Sequence, residues 1–175
     1  MKMSSTSTIT RCAMIAAVYV ALVMVLPFLS FGPIQIRIAE ALTLLPVLSV
    51  MPIWGVAIGC VLANFIGFMT GANILGFVDV FVGTAASFAA AWTSYAVRHV
   101  RFYGIPFLAA VPPVLYNAVA VGAQLMWYFV GEWNTAVFLT NAMYVGIGQI
   151  IACFGLGLPL LYVIERKPEL AEKFK

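Results

Sequence analysis

The sequence predicts an all-α membrane protein with six transmembrane helices and cytoplasmic N- and C-termini. Three observations carry this expectation. Hydrophobic residues fill 64% of 175 positions and charged residues 9%, against about 25% charged in a soluble domain. So few charges cannot cover a surface facing water, and the mean hydropathy of +1.07 points to lipid as the main solvent. Six apolar runs of about 20 residues with short loops would occupy most of the length, as one six-helix domain over residues 1–175. The basic residues are also sorted. With six spans, Lys2, Arg11, Arg98, Arg101, Arg166, Lys167, Lys173 and Lys175 fall on one side and Arg37 alone on the other. The positive-inside rule makes the first side cytoplasmic.

Helix 1 is expected over roughly residues 10–29, as a span that stays in the protein and not a cleaved signal. Ala13, Ala17 and Ala21 recur every fourth residue, and Ala16 widens this smooth stripe. Small residues at that spacing let another backbone approach closely. The visitor is either another helix of the same bundle or a helix of a partner protein. Pro27 and Pro33 end the helix and shape a loop.

Helix 2 is expected over about 38–51 with Pro46 inside it. It is short for a full span, so it is either tilted and kinked or crosses only part of the bilayer. Backbone groups freed by the proline must face protein or a watery cavity. Helix 3, about 53–70, carries a ladder of small residues at Gly55, Gly59, Ala63, Gly67 and Gly71, with Cys60 and Asn64 one position round. A turn at 70–73 leads to helix 4, about 75–97, with Asp79 in its first turn and Gly83, Ala86 and Ala90 along the same face. Helix 5, about 105–131, is interrupted by Pro112-Pro113 and places Asn117, Gln124 and Tyr128 on one face. Helix 6, about 137–164, carries Asn141 and Tyr144 near its start, and a charged, soluble tail follows from residue 165.

Candidate chemistry lies on the side opposite the basic loops. Gln35, Arg37 and Glu40 precede helix 2, Asn73 and Asp79 precede helix 4, and Glu132, Trp133 and Asn134 precede helix 6. Asn64, Asn117, Gln124, Tyr128, Asn141 and Tyr144 point from the helices at a similar depth. Polar and ionisable side chains are costly in a membrane and commonly mark a substrate path. The set describes an outward-facing pocket with aromatic walls, carboxylates and amides. It suits a flat, polar heterocycle whose ring stacks on Trp or Tyr and whose edge is read by carboxylates and amides. Plainer roles stand beside these. Arg37 and Glu40 at i and i+3 could pair with each other. Asp79 could complement a helix N-terminus, Asn64 could bridge helices, and Trp133 could anchor at the interface.

No phosphate-binding loop, HExxH pair or GxSxG elbow occurs, and the single His99 offers little for a proton relay. The three cysteines lie far apart without metal-ligand spacing. The expectation is therefore a protein that is not an enzyme, with no cofactor and no metal.

Three stretches carry a resemblance: GPIQIRIAEALTLLP (32–46), AIGCVLAN (57–64) and GFVDVFVGTAASFAA (76–90). In this order and spacing they resemble the QueT family, substrate-binding S components of energy-coupling factor (ECF) transporters. The resemblance covers nearly the whole chain and is most specific in RIAEAL. It implies a six-helix S component in the bacterial cytoplasmic membrane. The implied ligand is a queuosine precursor, a 7-deazaguanine such as preQ1, preQ0 or queuine. The implied partners are a transmembrane coupling subunit and two ATPase subunits. S components of this kind dock through small residues on helix 1, which favours the partner reading of Ala13, Ala17 and Ala21. Glu40 or Asp79 would accept the paired N–H donors of the guanine-like edge, and the other carboxylate could hold an aminomethyl cation. An S component for another small vitamin and a stand-alone membrane protein are the alternative readings.

Overall fold

The computed structural model describes residues 5–32 and 35–174. Pro33, expected to shape a loop, and Lys2 and Lys175, expected at the cytoplasmic side, lie outside the described residues. Helix α1 spans Ser5–Val25, and a separate turn of helix, α2, spans Pro27–Phe31. The single helix expected over 10–29 is thus broken at Leu26, because Pro27 has no N–H to continue α1 but suits the first position of a new helix.

The expected helix 2 is a 3₁₀ helix, Ile38–Val47, with nine of its ten residues buried. A 3₁₀ helix rises about 2.0 Å per residue, so ten residues reach about 20 Å, short of a bilayer core of about 30 Å. Helix 2 therefore ends earlier than expected and sits inside the protein. The N–H missing at Pro46 is sheltered from lipid, as backbone in a membrane requires. Helix α3 spans Met51–Met69 and α4 spans Val78–Ala96.

A turn at Tyr103 and Gly104, both at positive φ, joins Phe102 to Ile105. A short 3₁₀ turn, Phe107–Ala110, then precedes α5, Val111–Val130. Pro112-Pro113 do not interrupt this helix. They open its first turn, where the backbone N–H has no helical partner to lose. Helix α6, Thr135–Ile150, runs through a π-helical stretch, Ile151–Gly157, into α7, Leu158–Arg166. The expected uniform helix over 137–164 is widened there. Pro159 cannot donate to the carbonyl four residues back, and the π stretch ends just before it. A turn of helix, α8 (Pro168–Ala171), and a 3₁₀ turn, Glu172–Phe174, close the chain.

Among the described residues, four stretches are long and apolar enough to cross a membrane: Thr6–Val25, Met51–Met69, Phe107–Val130 and Thr135–Arg166. Helix α4 has a similar length, 19 residues, but Asp79 and its hydroxyl residues make it more polar.

The glycine ladder of α3 is the seat for α1. A Cβ on Gly55 would lie 2.8 Å from Ile15 Cβ, and one on Gly59 would lie 2.7 Å from Tyr19 Cβ and 3.1 Å from Ala16 Cα. Ala16 is therefore buried in the bundle and does not widen the stripe of Ala13, Ala17 and Ala21, all three of which are exposed. In the antiparallel pair α5–α6, Gly122 meets Ala142.

One end of the molecule collects the start of α1, the Ser49 turn, the basic loop and the tail. The Arg11 guanidinium donates to the carbonyls of Glu172 and Lys173, at 3.4 and 2.7 Å. The Ser49 hydroxyl donates to the Phe174 carbonyl. Leu170 and Phe174 pack onto the hydrophobic core, so the tail expected to be soluble is folded back on the bundle.

Candidate functional site

The chain positions three buried charges by three different devices. Residues 35–37 follow α2 without regular secondary structure, with Arg37 extended just before the 3₁₀ helix and Glu40 in its first turn. Asp79 lies in the first turn of α4, and the loop before it holds Asn73. All four side chains are buried, Glu40 and Asp79 completely.

Glu40 is held by donors from three helices. Its Oε1 accepts from the Tyr19 hydroxyl of α1 at 2.5 Å and from the Ser87 hydroxyl of α4 at 2.9 Å. Its Oε2 accepts a longer bond, 3.5 Å, from the Asn117 amide of α5. The backbone is tied too: the Glu40 carbonyl accepts from the Thr43 hydroxyl and, at 3.6 Å, from the Cys153 thiol of the π-helical stretch.

Arg37 pairs with Asp79, Nη2 to Oδ2 at 3.5 Å. It also donates through Nε to the Ser30 carbonyl and stands 5.2 Å from the centre of the Phe31 ring. The expected alternative, an Arg37–Glu40 pair, is not what forms. Asn73 Nδ2 donates to the same Asp79 oxygen at 2.9 Å, and Asn64 Nδ2 donates to the Asp79 carbonyl at 2.9 Å, tying α3 to α4. Gly83 leaves room for the second Asp79 oxygen, since a Cβ there would overlap Oδ1 and stand 3.0 Å from Asn64 Nδ2.

Gln35, Gln124 and Asn141 line the side toward α5 and α6. Gly148 of α6 lets the main chain of Gln35 lie directly against the helix, because a Cβ there would overlap the Gln35 carbonyl. Gln124 and Asn141 stand at one level of the α5–α6 pair, near Leu75, Val121, Leu125 and Val145, which pack together beneath the 73–75 turn.

Several buried polar atoms lack partners among the described residues. Asn64 Oδ1 and Asp79 Oδ1 are unpaired acceptors on the α3–α4 side, where the Thr84 hydroxyl is also unpaired. Gln35 Nε2, Gln124 Nε2 and Asn141 Nδ2 are unpaired donors on the α5–α6 side, where Gln124 Oε1 is also unpaired. A buried polar atom left unpaired costs about 1–3 kcal/mol, so this many in one region suits a site completed by a polar ligand.

The structure therefore buries Gln35, Arg37, Glu40, Asn64, Asn73, Asp79, Asn117 and Asn141 in the bundle and leaves Gln124 half-buried. Tyr128, Trp133 and Tyr144, expected as aromatic walls, instead have exposed side chains, at 57%, 62% and 39%. Helix α5 passes beyond the buried region before Tyr128. Trp133 packs on Phe138, ring centres 5.3 Å apart, and Glu132 is exposed. The aromatic groups at the buried charges are Tyr19 and Phe31, which the sequence reading did not select. Two signals pointed that way. Tyr19 is the one aromatic residue of α1, and Ser87 follows Asp79 and Gly83 at spacing four on one helical face.

A family profile described as QueT transporter matches residues 9–166. The chain belongs to the QueT transporter family. A curated relative in Lactococcus lactis subsp. cremoris (strain MG1363), named "Queuosine precursor transporter QueT", is 40% identical over 85 residues. That match covers 47% of this chain and 46% of the relative, so it spans about half the length of each. No solved structure matches at a significant level. With this family membership, the membrane-length apolar helices make the chain a multi-pass membrane protein.

Proposed function

We propose that this QueT-family chain is the substrate-binding S component of an ECF-type importer for a queuosine precursor. In this reading the six apolar segments form one domain with both termini cytoplasmic. The chain captures a 7-deazaguanine (preQ1, preQ0 or queuine) from outside and itself catalyses no reaction. A coupling subunit and two ATPase subunits supply the driving force. The coupling subunit docks on the exposed stripe Ala13, Ala17 and Ala21. Gathering of the basic end with both ends of the described chain supports the orientation.

The observation that carries the substrate class is the buried set of carboxylates and amides in which Asp79 and Asn64 each keep an unpaired acceptor and Gln35, Gln124 and Asn141 each keep an unpaired donor. A guanine-like ring has adjacent N–H donors on one edge and a carbonyl oxygen beside them, so it can use both the open acceptors and the open amide donors. The name of the Lactococcus relative points to the same class of ligand.

The test is calorimetry on the detergent-purified chain with preQ1, preQ0 and queuine, and with riboflavin and thiamine as controls. Saturable binding of a deazaguanine and not of the controls is expected. Binding of a control alone would replace the substrate class with another vitamin. Affinity purification of the tagged chain from its host membrane should recover the ATPase subunits, and recovery without them would remove the importer reading.

A further inference from the structure

We infer that the site selects a ligand carrying a positive charge, with Glu40 facing the ligand's cation and Asp79 with Asn64 accepting from its ring edge. The inference rests on the proposed deazaguanine site and deepens it. Among the described residues the buried charged side chains are Arg37, Glu40 and Asp79, one cation against two carboxylates. Arg37 is in contact with Asp79, and among the described residues Glu40 makes no ion pair. The donors that hold Glu40 are a phenol, an alcohol and an amide, all neutral. An ionised carboxylate embedded in a membrane protein without a cation in contact is costly, and a ligand ammonium would lower that cost on binding.

The distribution of open acceptor positions decides which carboxylate does what. A carboxylate has about four acceptor positions. Glu40 Oε1 already accepts two bonds, whereas Oε2 has only the 3.5 Å bond from Asn117 and can take a strong donor. Asp79 Oδ1 and Asn64 Oδ1 are both unpaired, and the bond from Asn64 Nδ2 to the Asp79 carbonyl keeps the two residues together. Two neighbouring acceptors match two neighbouring neutral N–H donors of a ring edge. The lone partly satisfied carboxylate matches an ammonium on the ring's substituent.

The experiment compares two ligands that share the 7-deazaguanine ring. One bears a 7-aminomethyl group, cationic at neutral pH, and the other a neutral 7-cyano group. Calorimetry on the wild-type chain should favour the aminomethyl compound by about 30-fold, the scale of replacing a neutral contact by a charge-assisted one. Glu40→Gln should erase that preference, bringing the ratio of the two affinities to about 1. Asp79→Asn should weaken both ligands and leave their ratio intact. Equal affinities in the wild-type chain, or a ratio that survives Glu40→Gln, would overturn the charge selection and leave the deazaguanine reading standing. Failure of both compounds to bind the wild-type chain would remove the substrate reading and this inference together. The wild-type ratio decides the matter even if Glu40→Gln does not fold.

Discussion

The molecule contains two arginine–carboxylate pairs that look alike on paper and differ in physics. Arg101 and Glu165 meet at the basic end through two short bonds, 2.9 and 2.6 Å, with side chains 35% and 23% exposed. Arg37 and Asp79 meet through one contact of 3.5 Å, with side chains 3% and 0% exposed. The better geometry belongs to the pair that matters less. At the wet end each partner can be solvated, and the hydrogen bonds to Glu165 only raise the Arg101 pKa further above a value already beyond physiological pH, with partial burial opposing. In the bundle neither charge has water to fall back on, so the pair is the condition for either charge being there. Burial, more than contact length, decides what an ion pair is worth.

The largest effect should come from breaking the buried pair on one side only. Arg37→Met leaves Asp79 without its cation and is expected to destabilise the protein by about 3–5 kcal/mol. Thermal unfolding in detergent would read this as a large drop in Tm. The double variant Arg37→Met, Asp79→Leu should recover much of that loss, since an apolar pair of similar volume removes the orphaned charge. A double variant as unstable as the single one would mean that the cost lies in packing.

The next effect concerns the seat that delivers Tyr19 to Glu40. Gly59→Ala puts a methyl group against Tyr19 and Ala16 and is expected to cost about 1–3 kcal/mol by overpacking. Tyr19→Phe keeps the packing and removes only the donor, for about 1.5–3 kcal/mol if the bond to a charged acceptor is fully lost. A Tyr19→Phe variant unfolding at the wild-type temperature would show that Glu40 finds a replacement donor.

At the basic end, Glu165→Gln should change stability by less than about 1 kcal/mol, an effect that raised salt shrinks further. The smallest effect on the isolated chain should follow Ala17→Leu on the exposed stripe. Its stability should stay within about 0.5 kcal/mol of wild type, while recovery of the coupling subunit in pull-down should fall. Unchanged recovery would argue against docking on this stripe.

The contrast between the two ends also marks how far the sequence could be read. The basic end was legible, because charge sorting depends on composition along the chain and needs no partner coordinates. The buried polar residues Gln35, Arg37, Glu40, Asn64, Asn73, Asp79, Asn117 and Asn141 were each legible, because any polar group in so apolar a chain stands out. Their pairing was not. Arg37 and Glu40 are three residues apart, and local spacing offered that pair. Asp79 is 42 residues from Arg37 and wins because the fold brings it there. The aromatic walls misled for a related reason. A helical face continues on paper from Asn117 through Tyr128, but α5 outlasts the region it lines.

Composition alone determined that the chain lives in lipid, and periodicity placed its apolar segments and its small-residue faces. Only tertiary structure decided that Gly55 and Gly59 receive α1 while Ala13, Ala17 and Ala21 are left outside. It also decided that 38–47 winds as a buried 3₁₀ helix, and that Tyr19, Ser87 and Asn117 converge on one carboxylate. The physical reason is the same in each case. Transfer to lipid is a property that each segment carries by itself, whereas the partner of a buried polar group comes from whichever other segment reaches it.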